Sequence, residues 1–569
     1  MSTVEPEAQS APAPDSNWVI LEEHQRFSRS VLWKLMKSYY NDMGPKAWLT
    51  GEVPHYATCN AYIAQCYAEV VLAYLRELDR TGTLVRSEPV YVIELGSGVG
   101  AFASYFLRKF GELHQESSLR DVEVRYVMTD FTPTNLNATA EHPHLRVFAA
   151  NGLLGFGKFD VDTDDAIELR NGNFLRAGSC KNPVVVLGNY VFDTFRQDIF
   201  RAEAGKLHEV QVSSRAPAGA FGLAQVRTQY NNHPIDETRY YDDPICNQIL
   251  ADYRSLLVDT TFTMPYQGLV ALMRLFGLSG GRGLLLTSDK GFSHVDELFQ
   301  REQQSMQLHG SFSMMVNFHA MGKYCTQRGG VYAATSRRVL SLKTAMFILG
   351  APEADLVDTL SAFNRRIEAF GPGEFFEFIQ NERKVDKSIE QLLGLLKLSG
   401  YDPGVLYHYA PMIREKCGKL PDWLTVELRL AIDRTWNNYF VSSQNLPFEL
   451  GRICLALQRP MEAARFFQIT IDWFGEMPAA YLNMGICYYA AENPQQALRC
   501  FERAKELDPT SGIPREWIAK IEAERARVAA APRIPGRIHS DRSGPVAVPQ
   551  AASSDDKSTP VSTAIATPT

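Results

Sequence analysis

A chain of 569 residues, 45% hydrophobic and 22% charged, is longer than one ordinary domain and has the composition of a folded globular protein of three or four units. Its formal net charge of −7 gives no broad attraction for nucleic acid, and no run approaches the roughly 18 apolar residues of a membrane span, so neither partner is expected. The nine cysteines are scattered without a C-x-x-C pair and read as buried thiols of a reducing compartment, which with the absence of a basic-then-apolar leader makes a cytoplasmic location the expectation.

Residues 1–16, rich in Pro, Ala, Ser and Glu, read as a disordered tail. Residues 17–85 read as a helical extension, because LEEHQRFSRSVLWKLMKSYYNDMG and NAYIAQCYAEVVLAYLREL are both periodic in apolar residues. Between them GEVPHYATCN, polar and aromatic, reads as a lid over a cofactor, with Tyr56, Thr58 and Asn60 as possible contacts.

Residues 86–337 alternate strands with helices in the manner of a doubly wound parallel sheet, giving an α/β, Rossmann-like domain. The expected strands are VYVIEL, VEVRYVMTD, LRVFAA, PVVVLGNY, RGLLLTSD and, last in the sheet, Ser311–Met321; QDIFRAEAGKLHEVQV reads as a hairpin.

The first strand breaks into Gly96, Gly98 and Gly100 and then a helix carrying Phe102, Phe106, Leu107 and Phe110 at helical spacing. Such a turn lets a nucleoside lie against bare backbone at a helix N-terminus. The pattern suits a dinucleotide or S-adenosylmethionine. Glu94, just ahead of the first glycine, repels a pyrophosphate but tolerates a cationic methionine end, and the G-x-G-x-x-G fingerprint is missing, so S-adenosylmethionine is the expected cofactor. Ser97 belongs to the same loop. Asp130, ending the second strand, stands where doubly wound folds place a carboxylate on ribose hydroxyls, with Phe131 flanking the adenine. Asn151 and Gly152, past LRVFAA, are placed to meet the adenine edge, though a simple turn explains them as well.

The fourth strand end, GNYVFDTF, is expected to face the methyl acceptor. Methyl transfer is an in-line displacement, so the protein aligns the acceptor and, for some acceptors, removes a proton. Asn189 is a candidate to accept a hydrogen bond from the acceptor and also lies beside the cofactor, Tyr190 to pack over the acceptor, and Asp193 to orient or deprotonate it. Each has a plain structural alternative: a turn residue, a core aromatic and a helix N-cap. His55, His142, His144 and His319 have no partner at metal-ligand spacing and read as structural, so no metal is expected.

From 338 onward the sequence reads as helical, with a helical domain over 338–446 and repeats over 447–529. Tyr481, Met484, Gly485, Tyr488, Ala497, Phe501, Ala504 and Pro509 have tetratricopeptide spacing, and 34 residues earlier stand Pro447, Leu450, Gly451, Cys454, Ala463, Phe467, Thr470 and Gly475. Trp517 and Ile518 fall in a third first-helix register and mark a capping helix. The array is a candidate groove for a peptide, or else a rigid bundle. Residues 530–569 read as a second disordered tail.

PHYATCNAYIAQCYAEV, ELGSGVGAF, GNYVFDTF, LLLTSDKG and HGSFSMMVNFHAM occur in an order that resembles the MidA-like class I methyltransferases, over residues 35–335. That family includes protein arginine methyltransferases that assist assembly of respiratory complex I. The resemblance implies S-adenosylmethionine as donor and a protein acceptor. It departs at one place: where the family has Asn-Glu after the fourth strand, this chain has Asn189-Tyr190. Guanidinium groups favour a carboxylate grip, so the loss puts arginine in doubt. The expected activity is methylation of a protein or peptide side chain recruited partly by the repeats. The alternatives are methylation of a small molecule or natural product, and a cofactor-binding assembly factor that transfers nothing. Oligomeric state is not legible.

Overall fold

The computed structural model of the protein describes residues 17–219, 222–299, 301, 306–338, 342–382 and 384–530. The two expected tails lie outside the described residues, apart from Ala530. The described chain groups into two compact units, one drawn from 17–58, 66–103 and 109–374 and the other from 59–65, 104–108 and 375–530.

The first unit opens with β1 (Trp18–Arg26), α1 (Val31–Met43) and the single turn α2 (Lys46–Leu49); α3 (Ala61–Arg80) follows. Then come β2 (Val90–Leu95), α4 (Ala101–Gln115), β3 (Val124–Asp130), α5 (Pro133–Glu141), α6 (Pro143–Ala150), β4 (Leu154–Lys158), β5 (Ile167–Leu169), β6 (Phe174–Leu175) and β7 (Val184–Asn189). A second set comprises β8 (Asp198–Glu203), β9 (Lys206–Pro217), β10 (Arg227–Pro234), α7 (Pro244–Leu256), β11 (Thr260–Met264), α8 (Tyr266–Gly277) and β12 (Gly283–Asp289). The unit continues through β13 (Gly291–Phe292), β14 (Gln307–His309), β15 (Ser311–Ser313), β16 (Val316–Asn317), α9 (Phe318–Gln327), β17 (Val331–Ala334), β18 (Lys343–Leu349) and α10 (Val357–Phe363).

The main sheet has nine strands in the order β17-β18-β12-β7-β2-β3-β4-β5-β6. β4, β3, β2, β7 and β12 are mutually parallel, and β18 runs antiparallel to both its neighbours. The central strands are buried throughout: all seven residues of β12, and Val184 to Gly188 of β7. Strands with no solvent face read as continuous apolar runs, which is why VVVLG and GLLL carry no alternation. The chain leaves β2 for β3 and β4 on one side and returns to β7 and β12 on the other, so the order reverses between β2 and β7. This is the Rossmann-like α/β architecture expected.

Four expectations fail locally. The helical extension begins with a strand: β1 pairs antiparallel with β9, Trp18 opposite Pro217 and Arg26 opposite Gln211, in a five-stranded sheet with β8, β10 and β11. WVILEEHQR is mostly exposed, and only its distant partner makes it a strand. LRVFAA is not a strand but the body of α6, with Pro143 in its first turn and His142 Nδ1 accepting from the His144 amide at 3.3 Å. The strand is the glycine-rich LGFGK that follows. Ser311–Met321 is not the last strand of the sheet; it divides into β15, β16 and the start of α9. That place is taken by β18, whose seven buried residues KTAMFIL lie where the chain reads as helix, because a short buried apolar run has no period to separate strand from helix. The β8–β9 hairpin is present, turning through Ala204 and Gly205 at φ 49° and 71°.

The second unit is helical: α11 (Pro372–Glu382), α12 (Ile389–Leu398), α13 (Pro403–Lys416), α14 (Asp422–Asn438), α15 (Leu446–Ala456), α16 (Pro460–Phe474), α17 (Pro478–Ala490), α18 (Pro494–Leu507) and α19 (Ile513–Ala530). The 34-residue period appears as one contact made twice. A Cβ at Gly451 would lie 2.7 Å from the Phe467 ring, and one at Gly485 would lie 2.6 Å from Phe501. Each glycine thus lets a phenylalanine of the following helix reach the backbone. Trp517 of α19 stacks on Phe501 at 5.4 Å, closing the array as the third register anticipates. None of the nine cysteines is in a disulfide, and eight are buried. Among the described residues no helix is long and apolar enough to cross a membrane.

Gly485→Ala is expected to cost about 1–3 kcal/mol by overpacking against Phe501. Gly394→Ala, on an exposed helix position with nothing within 4 Å, is expected to add about 0.5–1 kcal/mol. Urea denaturation of the two variants, followed by circular dichroism, checks the opposite signs.

Candidate functional site

The glycine turn leaves β2 with Gly96, Gly98 and Gly100 at φ 59°, 52° and 83°. Gly100 is the N-cap of α4, and a Cβ there would lie 2.6 Å from Leu145 Cδ1 and 2.9 Å from Met128 Cε, so neither another residue nor a right-handed backbone fits. The Ser97 amide donates to the Thr129 carbonyl at 3.0 Å, which ties the turn to β3. Ser97 Oγ is buried without a hydrogen-bond partner. The turn has an aromatic roof: the Trp48 ring lies 3.5 Å from where a Gly98 Cβ would stand, and Trp48 stacks on Tyr40 with centroids 5.6 Å apart. α1 is anchored through Trp33, Met36 and Tyr40 in a cluster with Ile199, Val210, Val212, Phe312 and Met314. The second sheet therefore carries the roof.

Glu94 is buried, its carboxylate accepting from Tyr126 Oη at 3.0 Å. Burial first, and the charge of Asp130 after it, push Glu94 up to about 8, against the lowering by the Tyr126 bond. At neutral pH it is mainly protonated. Glu94 stands as a buried polar group directly before the glycine turn.

Asp130 ends β3, also buried. Oδ1 accepts from the Thr132 amide at 2.8 Å and Thr132 Oγ1 at 2.7 Å, and Oδ2 from Asn135 Nδ2 at 3.2 Å. Three donors thus hold the carboxylate at the end of the strand. The polar atom left over here is Asn135 Oδ1, buried and without a partner. The sequence reading missed Asn135; its signal was an amide one turn into the helix after the acid. Phe131 meets Tyr40 edge-on at 6.4 Å and has Lys37 Nζ 5.7 Å from its ring centroid. Lys37 in turn pairs with Asp160 at 2.7 Å and Asp162 at 2.5 Å, just past β4.

Asn151 and Gly152 do not join this group. They follow α6 and precede β4, whose first residue, Leu154, pairs with Tyr126 near the start of β3. Parallel register puts them at the amino end of the sheet, away from Asp130, and both are exposed. With LRVFAA a helix, the turn explanation holds.

On the far side of the switch point, Asn189 Oδ1 accepts from Tyr67 Oη at 2.8 Å and the Ser288 amide at 3.0 Å, while Nδ2 reaches the Thr58 carbonyl at 3.5 Å. Tyr67 and Ser288 share a further bond at 2.8 Å, and Ser288 continues to Thr344 Oγ1 at 2.7 Å. Asn189 thus fastens α3 and the Tyr56–Thr58 turn to the strand ends. Thr58 is buried, Tyr56 half-buried, and Asn60 caps α3 through Ile63 at 3.1 Å. Tyr190 has φ 49°, and its amide donates to the Ser288 carbonyl at 3.0 Å. Burial and the charges of Asp289 and Asp193 raise its phenol well above the ordinary range.

Asp193 is buried and pushed up to about 7, by burial first, with Lys290 opposing. Its backbone carbonyl accepts from the Met314 amide at 2.9 Å. Asp289, which the sequence reading did not single out, ends β12 fully buried; Oδ2 accepts from the Val191 amide at 3.1 Å and the Asp193 amide at 3.2 Å, and Oδ1 from Lys290 N at 3.0 Å. Its signal was there to read: an acid ending the strand that opens with the apolar run GLLL.

Residues 478–511 match the family model described as tetratricopeptide repeat. No curated protein matches the sequence. Among solved structures the chain is similar to an uncharacterized protein from Burkholderia thailandensis, at 14% identity over 60% of this chain and 90% of that one, with a TM-score of 0.38. It is similar to a member of the same superfamily from that organism bound to S-adenosyl-homocysteine, at 16% identity over 61% and 91%, with a TM-score of 0.39. It is also similar to magnesium protoporphyrin IX methyltransferase from Synechocystis PCC 6803 with bound S-adenosylhomocysteine, at 11% identity over 56% and 99%, with a TM-score of 0.26.

Two outcomes follow. Glu94 holds its proton from its ordinary value of 4.5 up to about 8 in the folded chain. The folded state binds more protons than the unfolded one in that window, so this group's contribution to stability is full at the acid end and is lost as pH rises through it. Glu94→Gln is expected to flatten that slope in urea-midpoint measurements across the window. Asp130→Ala strands several donors and is expected to destabilise the protein by about 2–4 kcal/mol, read by the same method.

Proposed function

We propose that the protein is an S-adenosylmethionine-dependent methyltransferase acting on a protein or peptide side chain, in the reducing cytoplasm, with the tetratricopeptide region helping to recruit the acceptor. The observation that carries the reading is the glycine turn at the switch point between β2 and β7, feeding directly into the N-terminus of α4. Two buried acceptors without partners, Ser97 Oγ and Asn135 Oδ1, flank that turn and suit the polar edges of a nucleoside, and Trp48 offers a face to a base. When bound, S-adenosylmethionine supplies an electrophilic methyl group. The chain's part is to hold it between Ser97, Gly98 and Asn135, and to bring the acceptor to the Asn189–Asp193 loop. Asp130 acts on this reading by fixing Thr132 and Asn135 in place, with Asn135 presenting the oxygen that meets the ribose.

Calorimetry with S-adenosylhomocysteine tests the donor half: binding by the full chain, weakened about tenfold or more by Asn135→Ala, is expected from the loss of a buried hydrogen bond. Tryptophan quenching on titration, absent in Trp48→Phe, is the accompanying signal. Label from a methyl-labelled donor incubated with lysate is expected in protein; label in small molecules alone, or none released, overturns the acceptor half.

A further inference from the structure

Arg414, in the last turn of α13, and Arg452, in the middle of α15, close on a single carboxylate, Glu449. Glu449 Oε1 accepts from Arg452 Nη1 at 3.1 Å, while Oε2 lies 3.6 Å from Arg414 Nη1 as an ion pair without a hydrogen bond. Arg452 Nε and Arg414 Nη1 are both buried with no hydrogen-bond partner. The Arg452 side chain is 9% exposed, Glu449 16% and Arg414 27%, so the cluster sinks into the helical unit and reaches solvent on the Arg414 side. Two guanidiniums against one carboxylate leave a positive charge without a counterion, in a place where an unbalanced charge is expensive. Burial first, and the charge of Arg452 after it, lower the Arg414 guanidinium, and Glu449 opposes them only in part.

The repeat does not need these charges in order to fold. Thirty-four residues on, α17 carries neutral Asn483 and Ile486 in the places of Glu449 and Arg452, both buried, and Gly485 meets Phe501 there as Gly451 meets Phe467. A buried ion pair adds little stability over an apolar residue of similar size, so packing does not account for Arg452. We propose that Arg414, Glu449 and Arg452 form a binding site for a carboxylate, supplied by an acidic side chain of a protein segment that docks on the helical unit. A second carboxylate brings the cluster to two charges of each sign and accepts from Arg452 Nε and Arg414 Nη1. Arg452 Nη1 is already taken by Glu449, which leaves the Nε edge of the guanidinium for a planar pair of oxygens. A phosphate offers the same oxygens but carries nearly two charges, whereas a carboxylate matches the single charge left over. This rests on the recruiting role proposed above and gives it a chemistry: the recruited segment is acidic.

The test is calorimetry of the full chain, at constant ionic strength, with a blocked Gly-Ser peptide carrying a run of glutamates, with the same peptide carrying glutamines, and with inorganic phosphate. Binding of the glutamate peptide alone is expected, weakened about tenfold or more in Arg452→Ile and in Arg414→Gln. Arg452→Ile copies the second repeat and leaves Glu449 paired one to one with Arg414, so its urea midpoint is expected to equal or exceed that of the wild type. A lowered midpoint in Arg452→Ile makes the cluster a structural bridge and overturns the site. Equal binding of the glutamine peptide, or glutamate-peptide affinity unchanged in both variants, overturns it as well. Phosphate that binds and is not displaced by the glutamate peptide overturns the carboxylate assignment. S-adenosylhomocysteine affinity is expected to stay within about twofold in both variants. Label entering lysate protein with no peptide binding sinks this inference and spares the methyltransferase, whereas peptide binding by a chain that takes no S-adenosylhomocysteine does the reverse.

Discussion

Two buried aspartates hold the carboxyl edge of the parallel sheet together, and every loop of the candidate site depends on them. Strands that end side by side release amides with no ladder partner, and a buried amide without an acceptor costs free energy on the scale of a hydrogen bond. Asp130 collects the amide and hydroxyl of Thr132 and the side-chain amide of Asn135 on one side of the switch point. Asp289 collects the amides of Val191, Asp193 and Lys290 on the other. In each case an acid at a strand end fixes a loop at that edge: Asp130 the loop after its own strand and Asp289 the loop after the neighbouring β7. The device is costly: burial raises both carboxyls above their ordinary range, and the donors that converge on them oppose that rise.

The roof over that crevice belongs to a different part of the fold. α1 and Trp48 are carried by a cluster that reaches into β8 and β9 of the second sheet, while Phe312 and Met314 come from the segment between β12 and α9. That segment is stitched to the floor at two points, Met314 to the Asp193 carbonyl and Val316 to the Lys290 carbonyl, each at 2.9 Å. Floor and roof thus share one short stretch of chain. Displacing Trp48 from Gly98 does not require the sheet to move, because Trp48 sits on the four-residue α2, which Gly44 (φ 53°) separates from the anchored part of α1.

What could be read from the sequence follows from where its signals are local. The glycine turn, the VVVLGN and GLLLTSD strands and the Gly–Phe repeat each carry their structural cause within a few residues, and each stands where expected. β1 and β18 do not: β1 is an exposed strand defined by a partner in β9, and β18 is a buried run whose period is blank. The misreading of LRVFAA moved the adenine edge to Asn151 and Gly152, since a strand there would have ended where the helix does. The acids were legible as positions and not as states. Glu94, Asp130 and Asp193 were each found, but whether a carboxylate is free, filled or protonated depends on Tyr126, Asn135 and Asp289, which are near only in space.

Tyr190 shows how these constraints converge. A non-glycine residue at φ 49° costs of order 1 kcal/mol and persists only where its surroundings over-determine it. Here the preceding side chain is locked by Tyr67 and the Ser288 amide, its own amide by the Ser288 carbonyl, and the next amide by Asp289. Three successive residues are thus tied to β12, and the left-handed turn is what lets β7 end against it. The phenol is left half-buried, and the negative charges of Asp289 and Asp193 add to desolvation in keeping its proton on. A glutamate in this place would add a third carboxyl to two that already share a site, whereas a neutral hydroxyl adds a donor. The tyrosine is therefore a residue that two neighbouring acids tolerate.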